Sequence, residues 1–242
     1  MINQGVISKF CDKHKKKYES VAVKLLGKII CRPCPDCMAD RRKRCAPASE
    51  KTGEQKFNEV ILSQGRIEGR HAHCTFDSYA AISDGQKKAL RATQKYANDI
   101  LNKKAHGLIL SGGRGTGKNH LACSIAISLI EKGSRAQIWT AEDMVAGIRC
   151  HYNPNSGKTS GQVISDLKNL DLLIIDEIRR YDEKECALLF GIINGRYERL
   201  KPTMVMSNLD IDGIKQVISA PGYDRLREGG GKHVSFDWGS YR

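Results

Sequence analysis

The sequence predicts an α/β fold: a parallel sheet flanked by helices, with a small cysteine-bearing module in front. Three observations carry that prediction. From about residue 71 onward, short apolar runs alternate with segments of helical period. A glycine-rich turn, "GGRGTGKNH" (112–120), lies between one such run and the helix that follows it. The run "DLLIIDE" (171–177) closes on two acids, at the strand end where open α/β sheets bind ligands. Strands alternating with helices imply right-handed crossovers and a sheet covered on both faces.

The elements follow in order. Residues 85–104 set Ala89 and Leu90, Tyr96 and Ala97, and Ile100 and Leu101 at helical spacing, with Thr93 interrupting the stripe. "HGLILSG" is a short apolar run ending in glycine, a buried strand over 107–111. A helix begins at about residue 118, and "HLACSIAISLIEKG" (120–133) ends it at Gly133. "AQIWTA" is a strand and "AEDMVAGIRCHY" a helix; "NPNSGKTSG" (153–161) is a loop by composition. "QVISDLKNL" is a helix, 171–177 a strand, and "EKECALLFGIINGRYERL" a long helix. "TMVMSN" (203–208) is a strand followed by "DIDGIKQVIS", and "HVSFDW" is the last strand.

The 242 residues suit one substantial domain plus a small module. The formal net charge is +13, and it is uneven: residues 1–70 hold 16 Lys/Arg against 8 Asp/Glu. A basic front end points to a polyanionic partner, nucleic acid first. The opening "MINQGVISKF" has no apolar core of a signal peptide, and no run of about 18 apolar residues exists, so a cytoplasmic chain with no membrane span is expected. In that setting cysteines are read as metal ligands before disulfides.

Five of the nine cysteines fall in the first 45 residues. Cys11 and His14 form C-x-x-H; Cys34 and Cys37 form C-x-x-C. Two knuckles, each giving two ligands from one tight turn, are what a tetrahedral Zn2+ site needs. Cys31 is the alternative ligand, since Cys31-x-x-Cys34 is also a knuckle, but Cys31 follows the strand-like run "VAVKLLGKII". Cys45 and Cys74 have no partner at such spacing. The run Arg41–Arg44 sits in a helix fading into a polar stretch. The expected organisation is a zinc-binding module over 1–50, a linker over 51–70 and the α/β domain over 71–242.

The pattern G-x-x-x-x-G-K-[S/T] fits from Gly112 through Lys118. Gly112, Gly113, Arg114, Gly115, Thr116, Gly117, Lys118, Asn119 and His120 form the candidate cradle, whose backbone N–H groups curl around phosphates at a helix N-terminus. Lys118 supplies a point charge toward the terminal phosphates. Asn119 stands where Ser or Thr would hold magnesium. Asp176 can hold Mg2+ directly or through water, and Glu177 can polarise an attacking water. Ser207 and Asn208 end a neighbouring strand, where a polar side chain can orient that water. Arg225 and Arg227, in "YDRLR", are candidates to reach a neighbouring subunit's nucleotide.

Together "GTGKNHLA", "DLLIIDEI", "IINGRYERLKPTMVMSN", "YDRLR" and "FDWGSYR", with "HCTFDSYA" (73–80) ahead of the loop, resemble the DnaC-type replicative helicase loaders of bacteria and their phages, which are AAA+ ATPases. The resemblance covers about residues 70–242. It implies an AAA+ P-loop NTPase fold without a full C-terminal lid, ATP and magnesium as ligands, and slow, switch-like hydrolysis. Lys118 is then the Walker A lysine, Asp176 and Glu177 the Walker B pair, Asn208 the sensor and Arg225 the arginine finger. Asn119 becomes a family variant whose amide oxygen faces the magnesium shell. The family's second arginine, four residues before the first, is replaced by Pro221, leaving Arg227 as its substitute. The implied partners are a DnaB-type hexameric helicase, single-stranded DNA and further copies assembled on the helicase ring. The front module is the helicase-binding part, and its charge allows DNA binding as the alternative. DNA contacts fall to the 144–168 region, with Arg149, Lys158 and Lys168 as candidates. The nearest alternative is an IstB-type transposition ATPase that assembles on duplex DNA; a P-loop small-molecule kinase and a zinc-bearing DNA adaptor are more distant.

Overall fold

The computed structural model describes residues 2–25, 28–31, 33–44, 53–104, 106–150, 159–179 and 181–240, with the backbone alone for 2–5, 21–25, 28–31, 41–44 and 53–57. The chain divides into two compact units, Met1–Gln55 and Lys56–Arg242. Among the described residues no helix is long and apolar enough to cross a membrane.

The front unit is a three-stranded antiparallel sheet, β1 (Ile2–Cys11), β2 (Lys16–Leu25) and β3 (Lys28–Cys31), followed by helix α1 (Pro35–Arg44). Its first strand has no counterpart in the periodicity of the sequence. Among its described side chains the only buried apolar ones are Cys11 and Cys34. A unit of this size is commonly held together by a cross-link or a metal as well as by burial.

Residues 51–70, expected as a linker, instead contain helix α2 (Gly53–Gly65) and a 3-10 turn at Gly69–His71. Ile61 and Ile67 are buried in the apolar cluster of the larger unit, and that burial is why the segment folds.

Helix α3 (Asp84–Leu101) starts on a capping box, Ser83 with Gln86. Thr93 does not break its buried stripe. It is fully enclosed and its hydroxyl donates 2.9 Å bonds to the carbonyls of Ala89 and Leu90, so the polar group is satisfied within its own helix.

The sheet holds β4 (Leu108–Gly112), β5 (Ala136–Thr140), β6 (Leu172–Ile178), β7 (Thr203–Ser207) and β8 (Lys232–Phe236), all parallel in the order β5-β6-β7-β4-β8. The crossovers carry α4 (Lys118–Glu131), α5 (Ala141–Cys150), α6 (Ser160–Asn169), α7 (Glu183–Tyr197), α8 (Ile211–Ile218) and α9 (Ala220–Arg227). Strand residues alternate between two cores. Leu108, Leu110, Leu172, Ile174, Met204 and Met206 join the cluster with α3 and α4. Ile109, Leu173, Ile175 and Val205 join the cluster with α5 to α9. Both faces are therefore covered, as continuous apolar strands require. All five carboxyl ends point the same way, so the loops after β4, β6 and β7 share one edge of the sheet.

Arg196, on α7, is completely buried. Its guanidinium donates to the carbonyls of Leu167, Leu170 and Pro202 and to Thr203 Oγ1, at 2.6–3.0 Å. It thereby ties the end of α6 and the start of β7 to α7. Burial lowers its pKa to about 10, which still leaves it charged at neutral pH. Arg196→Ala is expected to cost about 2–4 kcal/mol, because several buried acceptors lose their donor at once; urea unfolding of the full chain measures it.

Candidate functional site

The loop that opens the site is shaped by what touches it. Gly112 ends β4 at φ 135, and a side chain there would collide with the Phe236 carbonyl of neighbouring β8. Gly117, at φ 96, caps α4, and a Cβ would stand 2.8 Å from the Tyr79 ring. Between them the backbone turns so that the free N–H groups of α4 face outward. Ten residues of α4 are buried, so this helix end is fixed in the fold. From the far side Trp238 Nε1 donates to the Thr116 carbonyl at 2.9 Å, and Trp238 packs on Phe236 with ring centroids 4.7 Å apart.

Lys118 is only 5% exposed. Its Nζ donates to the carbonyls of Gly112 and Gly113, both at 2.7 Å, and burial lowers its pKa. The ammonium is thus held inside the loop it serves, with two carbonyls standing in for water.

The opposite wall comes from β6. The β6–β7 register breaks between Ile175 and Ile178, and Glu177 takes φ 53. This bulge turns the exposed Glu177 side chain out of the ladder. Asp176 accepts from the Glu177 backbone N–H at 2.6 Å and from Asn119 Nδ2 at 3.1 Å. Burial pushes its pKa up, against the pull of these donors. Asn119, expected to offer an amide oxygen to magnesium, here turns its amide nitrogen to the carboxylate that shares the site. Ser207 is buried and committed to backbone, donating to the Ile178 carbonyl and accepting from the Leu209 N–H. Exposed Asn208 is therefore the strand-end group left to face the cavity.

The cavity between these walls is about 890 Å³. Arg114 and Thr116 line it along with Lys118, Asn119, Asp176, Glu177 and Asn208. His120 stacks edge-on against Tyr79, 5.4 Å between centroids, and its Nε2 lies 3.1 Å from Ser78 Oγ and 3.0 Å from the Thr75 carbonyl. Contributors without a sequence reading include Arg179, which lines the cavity and is ion-paired with Glu142, and the brace from Trp238. The place of Arg179, two residues beyond Glu177, is the signal that would have found it.

Other candidates lie elsewhere. Arg225 lines a separate cavity with Gly107, Pro202 and Thr203, at the amino ends of β4 and β7, opposite the loop. Its guanidinium sits 5.0 Å from the Phe190 ring centroid and 5.7 Å from that of Tyr197. Arg227 lines a third cavity with His233 at the β8 edge. Two positions apart on α9, the arginines face different sides, so Arg227 is no substitute for an arginine at Pro221, which lies in the first turn of the same helix. Arg149 is ion-paired with Glu185 at 3.0 Å on the surface, and the half-buried Lys168 side chain lies beside Gly195 of α7. Lys158 lies outside the described residues.

In the front unit Cys11, His14, Cys34 and Cys37 converge, their ligand atoms all within 4.8 Å of one another. Tetrahedral zinc, with bonds of about 2.3 Å to sulfur and 2.05 Å to nitrogen, needs edges of roughly 3.8 Å between sulfurs and 3.6 Å from nitrogen to sulfur. Cys11 Sγ lies 3.7 Å from Cys37 Sγ, and His14 Nδ1 lies 3.5, 3.8 and 3.4 Å from the sulfurs of Cys11, Cys34 and Cys37. The donor set and its spacing fit that ion. The Cys31 side chain lies outside the described residues.

With this geometry established, comparison with known proteins gives the relationship. A family model described as IstB-like ATP binding protein matches residues 70–223. The chain belongs to the IstB/DnaC-like family of AAA+ ATPases. It is 35% identical over 184 residues to the replicative helicase loader DnaC of Buchnera aphidicola subsp. Baizongia pistaciae, covering 75% of this chain and 74% of that one. It is 33% identical over 201 residues to DnaC of Escherichia coli (strain K12), covering 82% and 81%. Two solved structures share the fold. The DnaC helicase loader superposes with a TM-score of 0.61 at 20% identity, over 69% of this chain and 99% of that one. AMPPCP-bound DnaA from Aquifex aeolicus gives 0.55 at 20% identity, over 67% and 49%.

The buried carboxylate has a signature in solution. The folded pKa of Asp176 lies above its unfolded value, so its ionised form costs stability above the folded pKa. That cost disappears as pH falls below the unfolded value of about 3.9. Asp176→Asn is therefore expected to raise the melting temperature at pH 7, with the gain shrinking toward pH 4; thermal scans without nucleotide across that range measure it.

Proposed function

We propose that the protein is an ATP-controlled loader that places a DnaB-type hexameric replicative helicase on single-stranded DNA, acting in the cytoplasm. The carrying observation is the 35% identity over 184 residues with a replicative helicase loader, together with a family match over residues 70–223 that spans the whole cavity. Lys118 leaves the carbonyls of Gly112 and Gly113 for the terminal phosphates of ATP, and the N–H groups from Gly113 to Asn119 hold the phosphate oxygens. Mg2+, when bound, neutralises phosphate charge. Asp176 is its holder, and Asn119 orients that carboxylate or offers its own oxygen after turning. Glu177 takes a proton from the attacking water, which Asn208 orients. Arg225, at the opposite end of the sheet from its own loop, serves the nucleotide of a neighbouring copy assembled on the helicase ring.

Binding and hydrolysis then act as a slow switch between states of different affinity for DNA and helicase. Cys11, His14, Cys34 and Cys37 hold Zn2+, which cross-links the front unit, and this unit grips the helicase. Arg149 and Lys168 remain candidates for the DNA contacts. The alternative is a transposition helper that assembles on duplex DNA, favoured only by the IstB-like description of the matching family.

The test is helicase delivery. The protein, a replicative helicase, ATP and single-stranded DNA coated with its binding protein are combined, and unwinding is measured. Wild type is expected to stimulate unwinding strongly. Lys118→Ala is expected to lose stimulation and at least about 100-fold in ATP turnover. Intact turnover driven by duplex DNA, with no helicase complex, would transfer the assignment to the transposition helper.

A further inference from the structure

We infer that Asp40 is the positioning residue of the front metal centre: it fixes His14 so that Nδ1, and not Nε2, meets the metal. The inference rests on the zinc reading above and adds the group that sets the imidazole's tautomer and orientation. His14 is half-buried, and its two ring nitrogens face different partners. Nδ1 is within 3.4–3.8 Å of all three cysteine sulfurs. Nε2 is 3.2 Å from Asp40 Oδ2. A neutral imidazole that ligates through one nitrogen carries its proton on the other, and here a carboxylate stands ready to accept that hydrogen bond.

The sequence explains why Asp40 is there. Cys37 and Asp40 are three residues apart on α1, so they lie on one face, one turn apart. That face meets the hairpin turn carrying Cys11 and His14. Two ion pairs fasten the same face to the hairpin, Lys13 with Asp40 and Lys16 with Asp36. Asp40 therefore has two partners, the lysine and the histidine. The first is an exposed pair of small energetic weight. The second acts on a ligand.

The test uses the full chain. Zinc affinity is measured by competition with a chromophoric chelator, and the His14 tautomer by long-range 15N–1H NMR of the zinc-loaded protein. The expected result is a metal-bound Nδ1 and a protonated Nε2 in wild type. Asp40→Ala should weaken zinc binding about 10- to 100-fold. Asp40→Asn, which keeps an acceptor for the Nε2–H, should lose less. Lys13→Ala removes the ion pair but not the hydrogen bond and should change affinity only slightly, so a loss confined to Asp40 is not a loss of surface charge pairing. An Nε2-bound His14, or Asp40→Ala binding zinc as tightly as a zinc-binding wild type, overturns the role of Asp40 and leaves the metal reading standing. A wild type that takes up no zinc overturns both.

Discussion

The larger unit depends on keeping one ammonium group, that of Lys118, nearly out of water inside a loop of glycines. An isolated buried cation is costly, and the pKa of Lys118 is lowered accordingly. Two glycine carbonyls satisfy it. They can do so only because the loop curls tightly, and it curls tightly only where side chains are absent at Gly112 and Gly117. The loop in turn needs rigid ends. Strand β4, buried over Leu108–Ser111, supplies one, central α4 the other, and Trp238 holds the middle through the Thr116 carbonyl. On the proposed reading, a phosphate arriving at the loop exchanges the carbonyl contacts of Lys118 for stronger ionic ones.

Much of this was legible in sequence, and the reason is periodicity. Leu108–Leu110 and Leu172–Ile175 are apolar without interruption because their strands are covered on both faces, and the helices between them carry apolar residues at helical spacing, α4 being buried nearly all round. The loop and the acids of β6 were legible because residue type and spacing carry their chemistry. What stayed hidden depends on contacts distant in sequence. Trp238 reaches Thr116 across 122 residues with no local signal. Arg196 reads as an ordinary charge on a helix until the carbonyls after α6 and before β7 enclose it. Helix α2 is polar enough to pass for a linker, and it is held by Ile61 and the following Ile67. Strand β1 lacks clean alternation, since Val6 and Phe10 are exposed.

The two units solve the problem of stability differently. The larger one buries two apolar clusters on either side of its sheet. Among its described side chains the front unit draws Cys11, His14, Cys34 and Cys37 together. On the proposed reading the first unit changes state with nucleotide while the second is fixed by a permanently bound ion. Such a division suits a protein that must hold one partner steadily and grip another conditionally.

The central claim is that the nucleotide site is built by one chain and completed by another. Loop and acids lie at the carboxyl ends of the strands, and Arg225 lies by the amino ends, beside Phe190 and Tyr197. The most direct measurement is ATP turnover in mixtures of Glu177→Gln with Arg225→Ala, under conditions where wild type assembles. Each variant alone should be nearly inactive. Their mixture should regain part of the wild-type rate, because an Arg225→Ala chain keeps an intact Glu177 and its Glu177→Gln neighbour supplies the arginine. An Arg225→Ala chain as active as wild type, or a mixture no faster than its components, would contradict the account.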